Sequence, residues 1–347
     1  MTAPEPTSEP WRRFTLALAA AAAALLLAVG AVNALTDPWG VFGVGLIPPR
    51  VNQDRAVKGD LLGALAQPPE LLVFGSSRAW QIEADRVARA TGRRAFNAAV
   101  TAGRPADAYV FASFVHDTWS TAHPDYLWLL DVEAFERGPL PPSLLADARF
   151  SRYLPWRARA AAQLDELGWV LSWRGLEESW RVWRKHPTWE KVRARWRKRV
   201  APDGTVKAPP ASEARVTAKR LRSWRTDAKA QYRAFARLDP EAVRYLGKTL
   251  ALFSSWAGRG VVVLTPTHPD VLAAARTAGW DERHDEVAAL LRRLQRRYGF
   301  AVVDLTNADS FGATPTGFYD ATHMTRANQR RMIAAVLAAH GAELRER

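Results

Sequence analysis

A chain of 347 residues, 48% of them apolar, is long enough for one large core or two small ones and too apolar for a disordered protein. It has no cysteine, which removes disulfides, thiolate catalysis and cysteine-ligated metals. Lys and Arg number 49 against 35 Asp and Glu, and the resulting formal charge of +14 favours contact with anionic matter: phospholipid headgroups, acidic glycans or nucleic acid.

No charged residue stands between Phe14 and Thr36, and Leu16–Leu35 is mostly Ala, Leu and Val, enough to cross a hydrocarbon core as a helix. Arg12 and Arg13 precede this run and Asp37 follows it, so the positive-inside bias leaves the N-terminus in the cytoplasm and everything after Asp37 outside. Val32-Asn33-Ala34 would suit a signal peptidase, the competing reading. The run exceeds the usual signal-peptide length, so a retained anchor is favoured. Thr36–Arg50, rich in Gly and Pro with Trp39 and Phe42, reads as an irregular leader near the membrane surface.

Val51–Leu65 is suited to a helix that Gln67-Pro68-Pro69 ends. Leu71–Gly75 is four apolar residues and a glycine, the pattern of a strand covered on both faces, and Ser76 and Ser77 follow it. A helix is expected over Gln81–Ala90, a second strand over Arg94–Val100, a helix over Ala106–Thr118 and a third strand over Tyr126–Leu130. After an interruption the alternation resumes with a helix at Pro240–Ala257, a strand at Val261–Leu264, helices at Val271–Ala278 and Arg283–Tyr298, a strand at Ala301–Leu305 and a last helix at Arg326–His340. Strands alternating with helices predict a doubly wound α/β fold with a mostly parallel five-stranded sheet.

The interruption, 135–239, reads as a helical insertion. Trp156, Trp169, Trp173, Trp180, Trp183, Trp189, Trp196 and Trp224 are interleaved there with Arg and Lys. Such a surface suits anionic lipid headgroups or an acidic polymer. The competing reading makes the tryptophans core and the arginines a solvated face. Nucleic acid, which stacking aromatics among cations can hold, is not expected outside the membrane.

In an open parallel sheet, ligands sit beyond the carboxyl ends of the strands. The two serines, His268 after the fourth strand, and the Asp320 and His323 pair before the last helix all fall there. A serine hydroxyl is a poor nucleophile until a base takes its proton, and a histidine held in one tautomer by a carboxylate is the usual base. Asp320 and His323, three residues apart, meet that need locally. Asp131, His268, Asp304, Asp320 and His323 fall at strand ends too, but no ligand spacing demands a metal. Neither a metal nor another cofactor is expected.

Gly75-Ser76-Ser77-Arg78, the block from Asn97 to Gly103, Phe318-Tyr319-Asp320-Ala321-Thr322-His323, and the single span followed by Asp37-Pro38-Trp39-Gly40 together resemble the SGNH (GDSL-like) hydrolases. The resemblance is closer to their membrane-anchored cell-envelope branch, which includes DltD-like and alginate-acetylation-like proteins. It implies a flavodoxin-like three-layer sandwich, with Ser77 as nucleophile, Ser76 where the common motif has Asp, His323 as base and Asp320 as its orienting carboxylate. The family's third block, Gly-x-Asn-Asp, is replaced by Leu129-Leu130-Asp131-Val132-Glu133, so the oxyanion donor it supplies is missing. The main-chain N–H groups of Ser77 and of the Ala102-Gly103 turn, with Asn97 or Arg78, are the candidates to replace it. His268 is expected as a neighbour or substrate contact, and Asp131 as a structural acid.

The expected order is a cytoplasmic tail (1–13), a transmembrane helix (14–36), a leader and first helix (37–70), the first part of the α/β domain (71–134), the insertion (135–239) and the second part (240–347). The expected function is a membrane-anchored serine esterase or O-acyltransferase acting on acyl groups, acetyl above all, of a cell-envelope or exported polysaccharide. The alternative is a catalytically silent module. Expected partners are the membrane, an integral-membrane acyltransferase, and an anionic polysaccharide or lipid headgroups at the basic insertion.

Overall fold

Five short apolar runs form the strands of one sheet: β1 (Leu71–Gly75), β2 (Ala95–Asn97), β3 (Asp125–Leu130), β4 (Gly260–Leu264) and β5 (Ala301–Asp304). In this computed structural model, which describes residues 8–38, 53–145, 147–157, 159–160, 168, 170–185, 188–207 and 216–345, every strand pair is parallel. The order is β2-β1-β3-β4-β5, the doubly wound order with its switch point between β1 and β3. All five strands lie where the sequence predicts them. β2 is shorter than Arg94–Val100 because the chain leaves the sheet after Asn97, although the N–H groups of Ala98 and Val100 still donate to Val73 and Gly75 of β1.

The longer helices are α1 (Ser8–Thr36), α2 (Asp54–Gly63), α3 (Ala84–Thr91), α4 (Pro105–Thr118), α5 (Trp173–Lys185), α6 (Trp189–Arg199), α7 (Ala218–Ala234), α8 (Pro240–Ser255), α9 (Pro269–Arg276), α10 (Trp280–Tyr298) and α11 (Arg326–Leu344). Helix α3 begins later than Gln81 because Ser77–Ala79 forms a single 3-10 turn and the chain is extended at Glu83. The leader with Trp39 and Phe42 falls outside the described residues except for Thr36–Pro38, and Trp169 also lies outside them.

Side-chain alternation along the strands builds a core on each face of the sheet. Leu71, Val73, Leu127, Leu129, Val261 and Val263 pack on one face with Val87 of α3 and Met332, Ile333 and Val336 of α11. On the other face Phe74 meets Trp128 and Phe253 of α8 edge-on, at 5.7 and 5.9 Å between ring centres. Each such fully buried apolar side chain contributes about 1.5–3 kcal/mol.

Packing divides the chain into two compact units, one of Met1–Val51 with Leu140–Val192 and one of Asn52–Pro139 with Arg193–Arg347. In the first, α1 is, among the described residues, the one helix long and apolar enough to cross a membrane. The second holds the sheet and also takes in 193–239. Asn97 N–H donates to Asp203 O, Val206 N–H donates to Trp80 O, and α7 packs along α9.

Two glycines shape the carboxyl edge. Gly75 has φ +152°, and a Cβ there would lie 2.7 Å from both Leu129 O and Ala79 Cβ. A Cβ on Gly103 would lie 2.3 Å from Gly75 O, so only glycine lets the 100–103 turn close onto the end of β1.

Candidate active site

The carboxyl end of β1 delivers Ser77, and the loop before α11 delivers its partners. His323 Nε2 lies 2.7 Å from Ser77 Oγ, and His323 Nδ1 lies 2.7 Å from Asp320 Oδ2. The other oxygen of Asp320 accepts the main-chain N–H groups of Thr322 (2.9 Å) and His323 (2.7 Å), so one carboxylate fixes both its own loop and the imidazole. Burial alone would raise the Asp320 pKa; its bond to His323, that residue's charge and the two N–H groups outweigh this and lower it. Tyr319 stacks on the His323 ring at 5.6 Å and accepts a hydrogen bond from Gln81 Nε2 (3.2 Å). Burial and the Asp320 charge push the Tyr319 phenol up to about 12, so it stays neutral beside the imidazole.

Ser76 does a different job from its neighbour. It is buried, and its hydroxyl caps the 3-10 turn by accepting Arg78 N–H. Arg78 is buried, and its guanidinium is engaged by two acids and two threonines. Its guanidinium lies 3.0 Å from Glu133 Oε2 and 3.6 Å from Asp131 Oδ1, and donates to Thr265 Oγ1 at 3.1 Å and Thr267 Oγ1 at 3.5 Å. Burial would lower the Arg78 pKa, but Asp131 and Glu133 together raise it and keep the group charged. Asp131 also accepts the Thr265 hydroxyl at 2.5 Å. Arg78, a candidate oxyanion donor, and Asp131, expected as a structural acid, therefore neutralise one another.

Asn97 is fully buried and fully used. Its amide donates to the carbonyls of Ala79 (2.9 Å), Ile82 (2.9 Å) and Trp80 (3.3 Å), the turn that follows Ser77, and its oxygen accepts Ala99 N–H. It holds the serine turn from behind and has no donor left for an oxyanion. Gly103 N–H closes its own turn onto Val100 O. Of the main-chain candidates, the N–H groups of Ser77 and Ala102 make no hydrogen bond with another described residue. His268 accepts Asp270 N–H at Nδ1, its own N–H donates to Ala321 O, and its ring lies against Phe318. It braces the loop of Asp320 and His323, and burial lowers its pKa.

No family model matches this chain, and no curated protein matches it. The site therefore rests on its own geometry. Among the described residues no group of three or more His, Asp or Glu side chains is placed to hold a metal ion. Asp304, one of the acids at the strand ends, pairs with His284 at 2.7 Å.

Sequence reading missed the support beneath the site. Asp54, Arg55 and Lys58 of α2 are all buried under the 97–103 segment. Asp54 accepts the Thr101 N–H and hydroxyl, and Arg55 pairs with Asp107 at 2.7 Å and donates to Thr101 O. Lys58 Nζ donates to Asn97 O (2.9 Å), Asn97 Oδ1 (3.2 Å) and Ala99 O (2.5 Å), three oxygens for three hydrogens. Nothing in the spacing of Asp, Arg and Lys on a helix separates a buried grip from a solvated face.

Burial pulls the Lys58 ammonium from 10.5 down to about 7, against Asp54 and Asp203, which favour the charge. Between about 7 and 10.5 the unfolded chain keeps a proton the folded chain has released, so this residue's contribution to stability rises with pH through that window. Compared with Lys58→Met, which has nothing to titrate at this position, wild type should gain stability from pH 7 to pH 10. Urea midpoints of both proteins at both pH values check this. Parallel shifts in the two would contradict a buried, titrating ammonium.

Proposed function

We propose that the protein is a membrane-anchored serine esterase or O-acyltransferase of the SGNH-like type, acting on acyl groups, acetyl above all, of a cell-envelope or exported polysaccharide. The observation that carries this reading is the 2.7 Å contact from Ser77 Oγ to His323 Nε2, with Asp320 at 2.7 Å on the other ring nitrogen. Arg12 and Arg13, in α1 just before its uncharged apolar run, favour a cytoplasmic N-terminus, with the sheet-bearing unit outside.

Ser77 Oγ attacks the acyl carbonyl carbon as its proton passes to His323 Nε2, while Asp320 holds the Nδ1–H and stabilises the imidazolium. The oxyanion is received by main-chain N–H groups, that of Ser77 first, because Asn97 and Arg78 are spent elsewhere. When the carbon–oxygen bond to the leaving alcohol breaks, His323 returns its proton to that alcohol and the acyl group stays on Ser77. Water or a sugar hydroxyl, deprotonated by His323, then attacks the acyl carbon; the bond to Ser77 Oγ breaks, His323 returns the proton to Oγ, and the acid or the acylated sugar leaves. Lacking an asparagine donor lowers the expected rate by about a hundredfold or more.

Full-length protein in detergent should release 4-nitrophenol from its acetate ester and, given an oligosaccharide acceptor, transfer the acetyl group to it. No release, with wild-type folding verified, would sink the enzymatic reading.

A second reading is favoured by one observation: carboxylates, Asp131 and Glu133, stand where an asparagine is wanted. It is a silent module that binds a glycan or an integral-membrane acyltransferase. Binding that survives Ser77→Ala, with no turnover by wild type, would support it.

A further inference from the structure

The spanning helix does not end free. Asn33 near the end of α1 is 1% exposed; its amide donates to the carbonyls of Val170 (2.7 Å) and Ser172 (3.3 Å), and its oxygen accepts the Ser179 hydroxyl (2.8 Å). One turn earlier Gly30 lets Leu171 close in, since an added Cβ would lie 3.1 Å from Leu171 Cδ2. Helix α5 thus packs on the end of α1 through Gly175, Ser179 and Val182, a buried stripe of small residues and one valine. Cleavage after Ala34 would strip three polar groups of their partner, which argues for a retained anchor.

The opposite face of α5 is unusual for a protein surface. Trp173, Trp180 and Trp183 are 72%, 55% and 55% exposed, and Leu171, at the contact with α1, is 51% exposed. The same helix carries Arg174, Arg181 and Arg184 against Glu177 and Glu178. At about 1.5 Å per residue, α1 rises about 33 Å from Trp11 to Asn33, close to the thickness of a hydrocarbon core of about 30 Å. Trp11 and Phe14 beside Arg12 and Arg13 suit one bilayer surface, and the level at which Asn33 grips α5 then falls at the other.

We infer that α5 is an interfacial helix lying in the headgroup layer where α1 leaves the bilayer, with Trp173, Trp180 and Trp183 in contact with anionic phospholipid. The tryptophan rings are amphipathic and settle at that depth, and the surplus of Arg is drawn to anionic headgroups. Leu171, exposed and close to Gly30 of α1, stands two residues before Trp173 at the start of α5. A second protein is the other possible occupant, and the test separates the two.

The chain has no cysteine, so single-cysteine variants of the full-length protein take one label each. In nanodiscs containing phosphatidylglycerol, nitroxides at Trp180→Cys and Trp183→Cys should relax severalfold more with oxygen, which partitions into lipid, than with a water-soluble nickel complex. Water-like accessibility at both positions would overturn the lipid assignment and leave the face for a protein. Wild type supplies an arm that needs no substitution. A phosphatidylglycerol analogue with a photoreactive group near its glycerol should cross-link within 173–185, and cross-links confined to 8–36 would overturn the inference. Neither readout depends on catalysis, so failure here and failure of the enzymatic reading are distinct.

Discussion

Ser77→Ala is expected to lower acyl turnover by about 10⁴-fold or more, His323→Ala by a similar factor, and the double variant by no more than either alone. In the proposed mechanism both residues serve one proton transfer, so losing either should stop it and losing both should cost nothing further. Asp320→Asn belongs to the same set for another reason. An amide at that position cannot accept from two main-chain N–H groups and from His323 Nδ1–H as a carboxylate does, so the imidazole is no longer held in the tautomer that presents a basic Nε2 to Ser77. Losses of about 10⁴-fold are typical of that change. Initial rates on 4-nitrophenyl acetate check the series, with urea midpoints to separate chemistry from folding. Multiplicative losses in the double variant would mean that Ser77 and His323 do not act as one unit.

Arg78→Met should destabilise the sheet-bearing unit by about 3–5 kcal/mol, the cost of leaving a buried charge without its partner. Here two carboxylates, Asp131 and Glu133, lose the same guanidinium. Burial would raise the Glu133 pKa, and Arg78 more than offsets this and lowers it. A carboxylate with a depressed folded pKa adds stability that is present above its unfolded value and lost as pH falls through the folded one. The gap between wild type and Arg78→Met should therefore be widest near neutral pH and narrow in acid, where the orphaned Glu133 takes up a proton. Arg78→Lys should recover only part of it, since an ammonium cannot reach both acids and two threonines as a planar fork does. Urea unfolding at neutral and acid pH measures the gap; one that is constant across pH would contradict the charge account.

The framework was legible because it rests on local pattern. Each strand announced itself as a short apolar run ending in a turn, and the helix expected from Pro240 does begin there, where the Asp239 side chain caps it. Ser77, Asp320 and His323 were legible as types at strand ends; their distances were not. Long-range polar work was invisible. Arg78 and Asn97 looked available for substrate because sequence does not reveal that Asp131 and Glu133 neutralise the first and that three carbonyls occupy the second. Residues 193–239 read as insertion because their composition resembles that of the preceding stretch, yet Asp203 and Val206 bond directly to Asn97 and Trp80 beside the serine turn.

Covalent labelling of wild type by a fluorophosphonate tests nucleophile, base and access together. One adduct is expected, on Ser77, formed at a rate that Asp320→Asn depresses and Ser77→Ala abolishes. An adduct elsewhere, or none on folded protein, would contradict it.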